Sequence, residues 1–245
     1  FSLCARGECG PCVPRFQLLI SAPGFIPLAS SSGVRCSSRR ELPPPGVDVE
    51  FRLSEPSPIR VMVVLGTRPE AIKLAPVVLE CASRPEIDLA VCSTGQHREM
   101  LDQVLELFNL ETTFELDVMR PNQDLAGLTG RLLEGLSRAM GDFEPDVVVV
   151  QGDTTSCFAG SLAAFYREIP VAHVEAGLRT RRRHSPFPEE VNRRFTGLLA
   201  DLHFAPTDLA ARNLREDAVP HDRVFVTGNT VCLLYTSPSP RDKTV

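Results

Sequence analysis

The 245-residue sequence has neither a long apolar run nor an excess of positive charge. A membrane-spanning helix needs about 20 consecutive apolar residues, and no stretch of this chain approaches that length. The apolar segment 15–29 is interrupted by Pro23, Gly24 and Pro27, so it does not qualify as a signal peptide. A formal net charge of −5 gives no general attraction to nucleic acid or to an anionic membrane. We therefore expect no nucleic acid and no membrane among its partners, and we predict a cytoplasmic protein.

Two cofactor signatures are also missing. The sequence has no Gly-x-Gly-x-x-Gly loop, which is typical of redox dinucleotide sites. Its folded part has no cluster of residues at metal-ligand spacing. We expect no cofactor and no metal.

The first 58 residues differ from the rest of the chain. They are rich in Pro, Ser, Arg and Cys and show no sustained helical or strand period, which predicts a disordered leader. Non-native coding sequence is one explanation of it. Within the leader, Cys9 and Cys12 have the spacing of a thioredoxin-type redox pair, but no strand precedes them to build the βαβ core that this chemistry needs. Zinc binding by Cys4, Cys9, Cys12 and Cys36 lacks a matching second pair, so we expect neither activity.

A run of four valines at residues 147–150 is the centre of the remaining sequence. Consecutive β-branched residues predict a strand buried on both faces, as in a parallel sheet. Gly152 then permits a tight turn, Asp153 lies at that turn, and the Ala-rich segment 156–167 predicts a helix. The pattern is therefore strand, turn and helix, with a carboxylate at the carboxyl end of the strand.

A second carboxylate is placed in the same way. Residues 170–174 predict a short strand, and Glu175 follows it directly. In open α/β sheets, ligands bind at the carboxyl edge of the strands. Asp153 and Glu175 therefore indicate a site at one edge of the sheet.

The alternation of strands and helices extends from Ile59 onward and predicts an α/β fold. We expect a doubly wound, Rossmann-like parallel sheet with right-handed crossovers. Strands are predicted over residues 59–65, 87–93, 113–116, 147–150, 170–174, 202–205 and 223–226. Helices are predicted over 71–83, 98–107, 124–140, 156–167 and 191–201, with a short helix after Pro206.

The first turn of the fold carries two cations and an acid. Thr67 and Glu70 have capping-box spacing, so we interpret Glu70 as a helix cap rather than a catalytic residue. Arg68 and Lys73 lie in the first helical turns, where backbone N–H groups and the helix dipole already favour an anion. Either they bind an anionic ligand or they are two solvated surface cations.

Other polar residues have an ordinary structural explanation beside a functional one. His97 near a helix start could touch a phosphate or act as an acid or base, but such residues more often cap or pack. The arginines at 181–183 could bind a diphosphate, although a solvated loop explains most of them. Glu189 and Glu190 begin a helix, where acidic residues compensate the dipole.

Six segments in register resemble the non-hydrolysing UDP-N-acetylglucosamine 2-epimerases of bacteria. The resemblance runs from about Ile59 to Val231. It is carried by Gly66–Lys73, Thr94–Leu101, Gln151–Thr155, His173–Thr180, Pro186–Glu190 and Thr227–Val231.

The resemblance implies the amino-terminal half of a two-domain, glycosyltransferase-B-type architecture. We expect the amino-terminal domain of the family over residues 59–231, with the nucleotide held mostly by a second domain that is absent. Residues 232–245 resemble a translated sequencing adapter, so we expect an irregular, artefactual tail. The loop at 181–183 is more basic than in the family, which puts the contacts of that loop in question.

The reaction that the resemblance implies is interconversion of UDP-GlcNAc and UDP-ManNAc, supplying surface polysaccharide synthesis. UDP is eliminated from the sugar nucleotide and added back with the other configuration at C2. Asp153, Glu175 and Glu189 match the catalytic acids of the family, and which is base and which is acid stays open. Arg68 and Lys73 match substrate-binding residues that stabilise the leaving-group charge.

The resemblance also has implications for regulation and for subunit assembly. UDP-N-acetylglucosamine is implied as an activator as well as the substrate, with Gln96 and His97 lining the effector pocket. The full-length enzyme is expected to be a homodimer, and this fragment alone to be inactive. The alternatives are a UDP-sugar glycosyltransferase of the same fold and a non-catalytic fragment.

Overall fold

A computed structural model of the chain describes residues 57–95, 98–120 and 123–236. Its centre is one seven-stranded, all-parallel sheet with the strand order β3-β2-β1-β4-β5-β6-β7. The strands are β1 (Ile59–Leu65), β2 (Ile87–Ser93), β3 (Phe114–Glu115), β4 (Val147–Gln151), β5 (Val171–Val174), β6 (Leu202–Ala205) and β7 (Val224–Val226). This confirms the predicted doubly wound α/β fold.

Helices cover both faces of the sheet. They are α1 (Arg68–Ala82), α2 (Arg98–Phe108), α3 (Leu125–Phe143), α4 (Thr155–Tyr166), α5 (Glu189–Leu199), α6 (Asp208–Glu216) and α7 (Val231–Thr236), with a 3₁₀ turn at His221–Arg223. The strands alternate between two apolar cores, as the two-residue period of a strand requires. In β1, Val61, Val63 and Leu65 pack on the side of α1 and α2, whereas Met62 and Val64 pack on the side of α3 and α4.

The sheet reverses its winding direction between β1 and β4. From β1 the chain moves outward through β2 to β3, and from β4 it moves outward the other way through β5 and β6 to β7. The loops that leave the carboxyl ends of β1 and β4 therefore diverge to opposite faces and leave a crevice between them. All five residues of β4 are buried, as the valine run predicts.

Two expectations need correction at helix ends. Residues 232–245 were expected to be irregular, but α7 spans Val231–Thr236 and packs against α1. No Pro or Gly interrupts this segment before Pro238, and the Asn229 side chain accepts a hydrogen bond of 3.1 Å from the backbone N–H of Val231. Helix α5 begins at Glu189 rather than at Val191, because both glutamates form its first turn.

Two predictions concern residues outside the described ranges. One is the disordered leader with Cys4, Cys9, Cys12 and Cys36, and the other is the effector pocket lined by Gln96 and His97.

The turn after β1 has room for glycine alone. A Cβ at Gly66 would lie 2.2 Å from Thr94 Oγ1 and 2.5 Å from Ser156 Oγ, two buried hydroxyls that are themselves 2.9 Å apart. The close approach of β1, β2 and α4 beneath the crevice therefore depends on this missing side chain.

We expect Gly66→Ala to destabilise the fold by about 1–3 kcal/mol, because the added methyl group overpacks a buried hydroxyl pair. The measurement is the free energy of unfolding in urea. Gly130→Ala is the matched control: nothing lies within 4 Å of its Cβ position on α3. That change should stabilise the helix by about 0.5–1 kcal/mol. Equal stabilities for the two variants would contradict the packing at Gly66.

Candidate active site

Turns from three strands meet at the carboxyl edge of the sheet. They follow β1 at Gly66, β4 at Gly152 and β5 at Glu175. Gly152 has a φ of +74° and Glu175 a φ of +63°, so both turns pass through left-handed backbone. A non-glycine residue in that region is uncommon and is held there by its surroundings. These turns bring polar side chains from distant parts of the sequence together.

Glu70 is buried in the crevice and bonds to both of its walls. Its carboxylate accepts hydrogen bonds from the N–H groups of Gly66 (2.9 Å) and Thr67 (2.7 Å). It also accepts one of 2.5 Å from the hydroxyl of Thr154, the N-cap of α4. Burial raises the pKa of Glu70, and these hydrogen bonds offset that rise only in part. The interpretation of Glu70 as a cap is confirmed, and the bond to Thr154 extends it to a link between α1 and α4.

Glu175 is held by a cation and an amide. The Lys73 ammonium lies 2.8 Å and 2.6 Å from its two carboxylate oxygens, and the Gln151 amide donates a bond of 2.5 Å to Oε2. Both charged side chains are largely shielded, with 26% of Lys73 and 14% of Glu175 exposed. The structure thus brings together two of the predicted site residues, which are 102 positions apart in the chain.

Asp153 is held by an arginine that the sequence interpretation missed. Arg193 of α5 donates a bond of 3.1 Å from Nε to Asp153 Oδ2, and its Nη2 contacts the same oxygen. The adjacent Asn192 amide donates a bond of 3.0 Å to the backbone carbonyl of Asp153. Helix α5 therefore fixes both the backbone and the side chain of this turn.

Arg193 also binds Glu190, one turn earlier on the same helix, at 2.8 Å. The Glu190 carboxylate accepts further bonds from the backbone N–H groups of Thr180 (3.0 Å) and Arg181 (3.1 Å). Burial acts to raise the pKa of Glu190, but these hydrogen bonds and the guanidinium outweigh it, and the pKa is lowered. The expected role of Glu190 in dipole compensation is thus incomplete, since it also holds the loop before α5. The i, i+3 spacing of Glu190 and Arg193 was the available signal.

Glu189 and Arg68 stand apart from these pairs. Among the described residues, no hydrogen bond partner reaches Glu189 Oε2, although that oxygen is buried. Arg68 is exposed at the first position of α1. The structure therefore joins Lys73 to Glu175 and Asp153 to Arg193. In the part of the chain that the structure describes, no hydrogen bond or ion pair connects Glu189 or Arg68 to either pair.

Two buried histidines lie on neighbouring strands beneath this edge. His173 of β5 and His203 of β6 are register partners, and each is 1% exposed. His173 Nε2 lies 2.7 Å from the carbonyl oxygen of Gly152, so it donates to the turn that carries Asp153. Burial lowers the pKa of His173 to about 3 and that of His203 to about 4.

Comparison with known proteins decides the family. A sequence profile described as UDP-N-acetylglucosamine 2-epimerase matches residues 79–238. The chain belongs to this family. It is 54% identical over 173 residues to the UDP-N-acetylglucosamine 2-epimerase of Neisseria meningitidis serogroup A, covering 71% of this chain and 46% of that protein. It is 56% identical over 172 residues to that of Bacillus subtilis, covering 70% and 45%. The chain thus spans about half the length of these relatives.

Solved structures of the family share the fold. The Neisseria meningitidis enzyme bound to UDP-GlcNAc has a TM-score of 0.69 at 54% identity, over 71% of this chain and 47% of that one. The Methanocaldococcus jannaschii enzyme in complex with UDP-GlcNAc and UDP has a TM-score of 0.66 at 37% identity, over 70% and 47%. MurG of Acinetobacter baumannii, at 16% identity and a TM-score of 0.51 over 76% and 48%, shows the fold alone.

Residues 57–95, 98–120 and 123–236 lack two further features. No helix in these ranges is long and apolar enough to cross a bilayer. Nor do these ranges contain a group of three or more His, Cys, Asp or Glu side chains that could hold a metal ion.

The buried histidines predict a pH-dependent stability. Below about pH 6.5 the unfolded chain protonates both imidazoles, whereas the native state keeps them neutral down to their lowered pKa values. Because the native state binds fewer protons, the free energy of unfolding should fall as the pH drops from 6.5 toward 4. The slope is at most about 1.4 kcal/mol per pH unit for each histidine.

His173→Gln should make that slope shallower, since the amide can still donate to Gly152 but does not titrate. Urea unfolding between about pH 7 and pH 4.5 measures the slope. His221→Gln is the control because His221 is exposed. A slope unchanged by His173→Gln would contradict this account.

Proposed function

We propose that the complete protein is a non-hydrolysing UDP-N-acetylglucosamine 2-epimerase, interconverting UDP-GlcNAc and UDP-ManNAc by elimination and re-addition of UDP. The observation that carries the proposal is the placement of Asp153 and Glu175 at adjacent turns of one sheet edge, each held by a cation. Family membership supports the choice of substrate.

The reaction needs carboxylates in two roles. Elimination requires a base to remove the proton at C2, and re-addition requires an acid to deliver a proton from the other face. Asp153, Glu175 and Glu189 are the proposed catalytic residues. Glu189 is the candidate whose buried oxygen has no protein partner among the described residues, so it is available to a ligand. The division of the roles of base and acid stays open.

Cations at the same edge suit the departing diphosphate. Lys73 is paired with Glu175, and a diphosphate entering the crevice would compete for its ammonium group. That competition would release Glu175 from a full ion pair as the substrate binds. Arg68, exposed at the amino terminus of α1, adds charge where the helix dipole already favours an anion. We propose both as substrate-binding residues.

Arg193 is proposed as a positioning residue for Asp153. Its guanidinium binds Asp153 and Glu190 at once, and Glu190 holds the loop at residues 180–181. The planar guanidinium presents several N–H groups in a fixed geometry, so it can orient two carboxylates at once in a way that a single ammonium cannot.

The rival function is a glycosyltransferase of the same architecture. The likeness to MurG concerns the fold alone and does not favour it. Exchange of the C2 proton with solvent separates the two, because the epimerase reaction requires it and glycosyl transfer does not.

Activity of this chain alone is not expected. It spans about half the length of its relatives. The family resemblance assigns most of the nucleotide contacts to a second domain. Closure of that domain would exclude water and fix the reacting groups. Without that closure, the lowering of the activation barrier by orientation of the reacting groups, about 7–11 kcal/mol at best, is largely lost.

Three further properties are proposed from the family resemblance. UDP-N-acetylglucosamine also acts as an activator near Gln96 and His97, the complete enzyme is a homodimer, and it works in the cytoplasm.

The test of the reaction uses a chimera in which this chain is joined, after Val231, to the remainder of a family member. The chimera should incorporate deuterium at C2 of UDP-GlcNAc in heavy water, and the 245-residue chain alone should not. Asp153→Asn should abolish incorporation by removing the carboxylate while keeping its size. Asp208→Asn, at an exposed position on α6, is the control and should stay active. Deuterium at C2 with the unextended chain would overturn the requirement for a second domain.

The test of Arg193 separates positioning from stability. In the chimera, Arg193→Lys should lower kcat by about 100-fold, because the charge remains but the fork that orients Asp153 is lost. KM should change far less, and so should the thermal midpoint. Arg212→Lys, an exposed arginine on α6, should leave kcat unchanged. An unaltered kcat in Arg193→Lys would rule out the positioning role.

A further inference from the structure

A groove lined by apolar side chains and arginines lies between α5 and the end of α6, and we name it the basic groove. Its volume is about 790 Å³, within the range of about 300–1,000 Å³ that is usual for small-molecule sites. The apolar side chains that line it are Val191, Phe195, Leu198, Val219 and Pro220. Asp153, Glu175 and Glu189 do not line it, so the basic groove is separate from the candidate active site.

Positive charge is in excess along the basic groove. Its charged lining consists of four arginines and two acids, which are Arg179, Arg183, Arg194, Arg223, Glu216 and Asp217. Both acids already have partners, because Glu216 contacts Arg181 and Asp217 lies 2.8 Å from Nε of Arg179. The formal net charge of the whole chain is −5. A local excess of positive charge on an acidic protein marks a surface that attracts anions.

Two of the arginines are free to meet a ligand. Arg183 and Arg194 are exposed, and no ion pair connects either of them to a described residue. One exposed arginine is ordinarily solvated and needs no explanation. Here two arginines from different elements, the loop before α5 and α5 itself, line the same concave surface.

A third arginine is buried and has an unused donor. Only 6% of the Arg179 side chain is exposed. Its Nε donates a hydrogen bond of 2.8 Å to Asp217, and its Nη1 donates one of 2.8 Å to the backbone carbonyl of Leu178. No described residue accepts a hydrogen bond from Nη2, although buried polar groups are generally hydrogen-bonded.

The position of that unused donor is set by α5. Nη2 of Arg179 lies beside Gly197, where a Cβ would be 3.2 Å away. The absence of a side chain at Gly197 therefore leaves Nη2 uncovered on the side of the groove. A buried guanidinium with a free N–H group, next to two unpaired arginines, has the donor arrangement of an oxyanion site.

We propose that the basic groove binds a small organic anion. The anionic group is held by Arg179, Arg183 and Arg194, and an apolar body of one or two rings packs against Val191 and Val219. Guanidinium groups suit the oxygen pairs of carboxylates, sulfonates and phosphates. The apolar lining favours an organic body, since a bare inorganic anion would leave these side chains in contact with water. This site is independent of the proposed epimerase reaction.

The test uses naphthalene-1-sulfonate as the probe, titrated into the 245-residue chain with ¹³C-labelled valine and leucine methyl groups. We expect saturable binding with a Kd of about 1 mM or lower, as for an efficient ligand of this size. The methyl resonances of Val191, Leu198 and Val219 should shift, whereas those of Val150 in the centre of the sheet should not.

Two matched compounds separate the contributions of charge and apolar surface. Naphthalene-1-sulfonamide has the same rings without the charge, and inorganic sulfate has the charge without the rings. Each should bind at least about tenfold more weakly than the sulfonate, because each lacks one of the two interactions.

Paired variants test the arginines. Arg183→Gln combined with Arg194→Gln should raise the Kd of the sulfonate at least about tenfold and leave that of the sulfonamide unchanged. Arg182→Gln combined with Arg212→Gln removes the same net charge at exposed positions outside the groove, and should change the Kd by about twofold at most. Since all four arginines are exposed, both variants should keep the circular dichroism spectrum of the parent chain.

Several results would overturn the proposal. One is the absence of saturable shifts up to about 10 mM sulfonate, well above the expected Kd. Equal affinity for the sulfonamide would show an apolar surface without anion recognition, and equal affinity for sulfate would show an adventitious ion only. An unchanged Kd in the Arg183 and Arg194 double variant would exclude these arginines from the site.

The pattern of methyl shifts gives one further way to fail. Shifts confined to Leu65 and Val174, the last residues of β1 and β5, would place the probe in the crevice of the candidate active site instead. None of these measurements involves catalysis, so a failure of the basic groove and a failure of the proposed reaction are distinguishable.

Discussion

The Glu70 carboxylate links the two directions of winding in this sheet. It accepts hydrogen bonds from N–H groups of the turn after β1 and from the hydroxyl that caps α4. Helices α1 and α4 therefore begin at a fixed separation. Its burial is tolerated because hydrogen bonds satisfy both carboxylate oxygens. Directly beneath, Gly66 allows the hydroxyls of Thr94 and Ser156 to meet. The crevice at which the sheet reverses its winding direction is therefore lined by hydrogen-bonded polar groups, and the position of the candidate site depends on them.

The acids around that crevice are held in different ways. Glu175 is bound by Lys73 and Gln151, Asp153 by Arg193, and Glu189 keeps a buried oxygen without a described partner. Carboxylates in unlike environments are suited to unlike proton-transfer roles. The two cations that hold Glu175 and Asp153, Lys73 and Arg193, lie on helices from opposite faces of the sheet. Any ligand that engages this edge must therefore compete with, or use, ion pairs that already span both layers.

Helix α5 connects this edge to the rest of the domain. Its first turns contribute Glu189, Glu190 and Arg193, and its outward surface carries Phe195 and Leu198. A helix of 11 residues thus has a polar end at the candidate site and an apolar face toward solvent. The position of Arg193 therefore depends on how α5 packs against α4.

The sequence by itself determined the fold class, the strands and the edge at which Asp153 and Glu175 lie. These follow from local signals, because a run of β-branched residues, a glycine turn and a carboxylate are neighbours in the chain. It also indicated Glu70 as a cap, since the spacing of three residues is local. The partners of the acids could not be predicted this way: Arg193 is 40 positions from Asp153, and Lys73 is 102 from Glu175. The ring contact of Phe158 on α4 with Phe195 on α5 depends in the same way on which helices the crossovers place side by side. Only the tertiary structure decided these pairings, because hydrogen bonds and packing act across space, whereas periodicity reports only on neighbours along the chain.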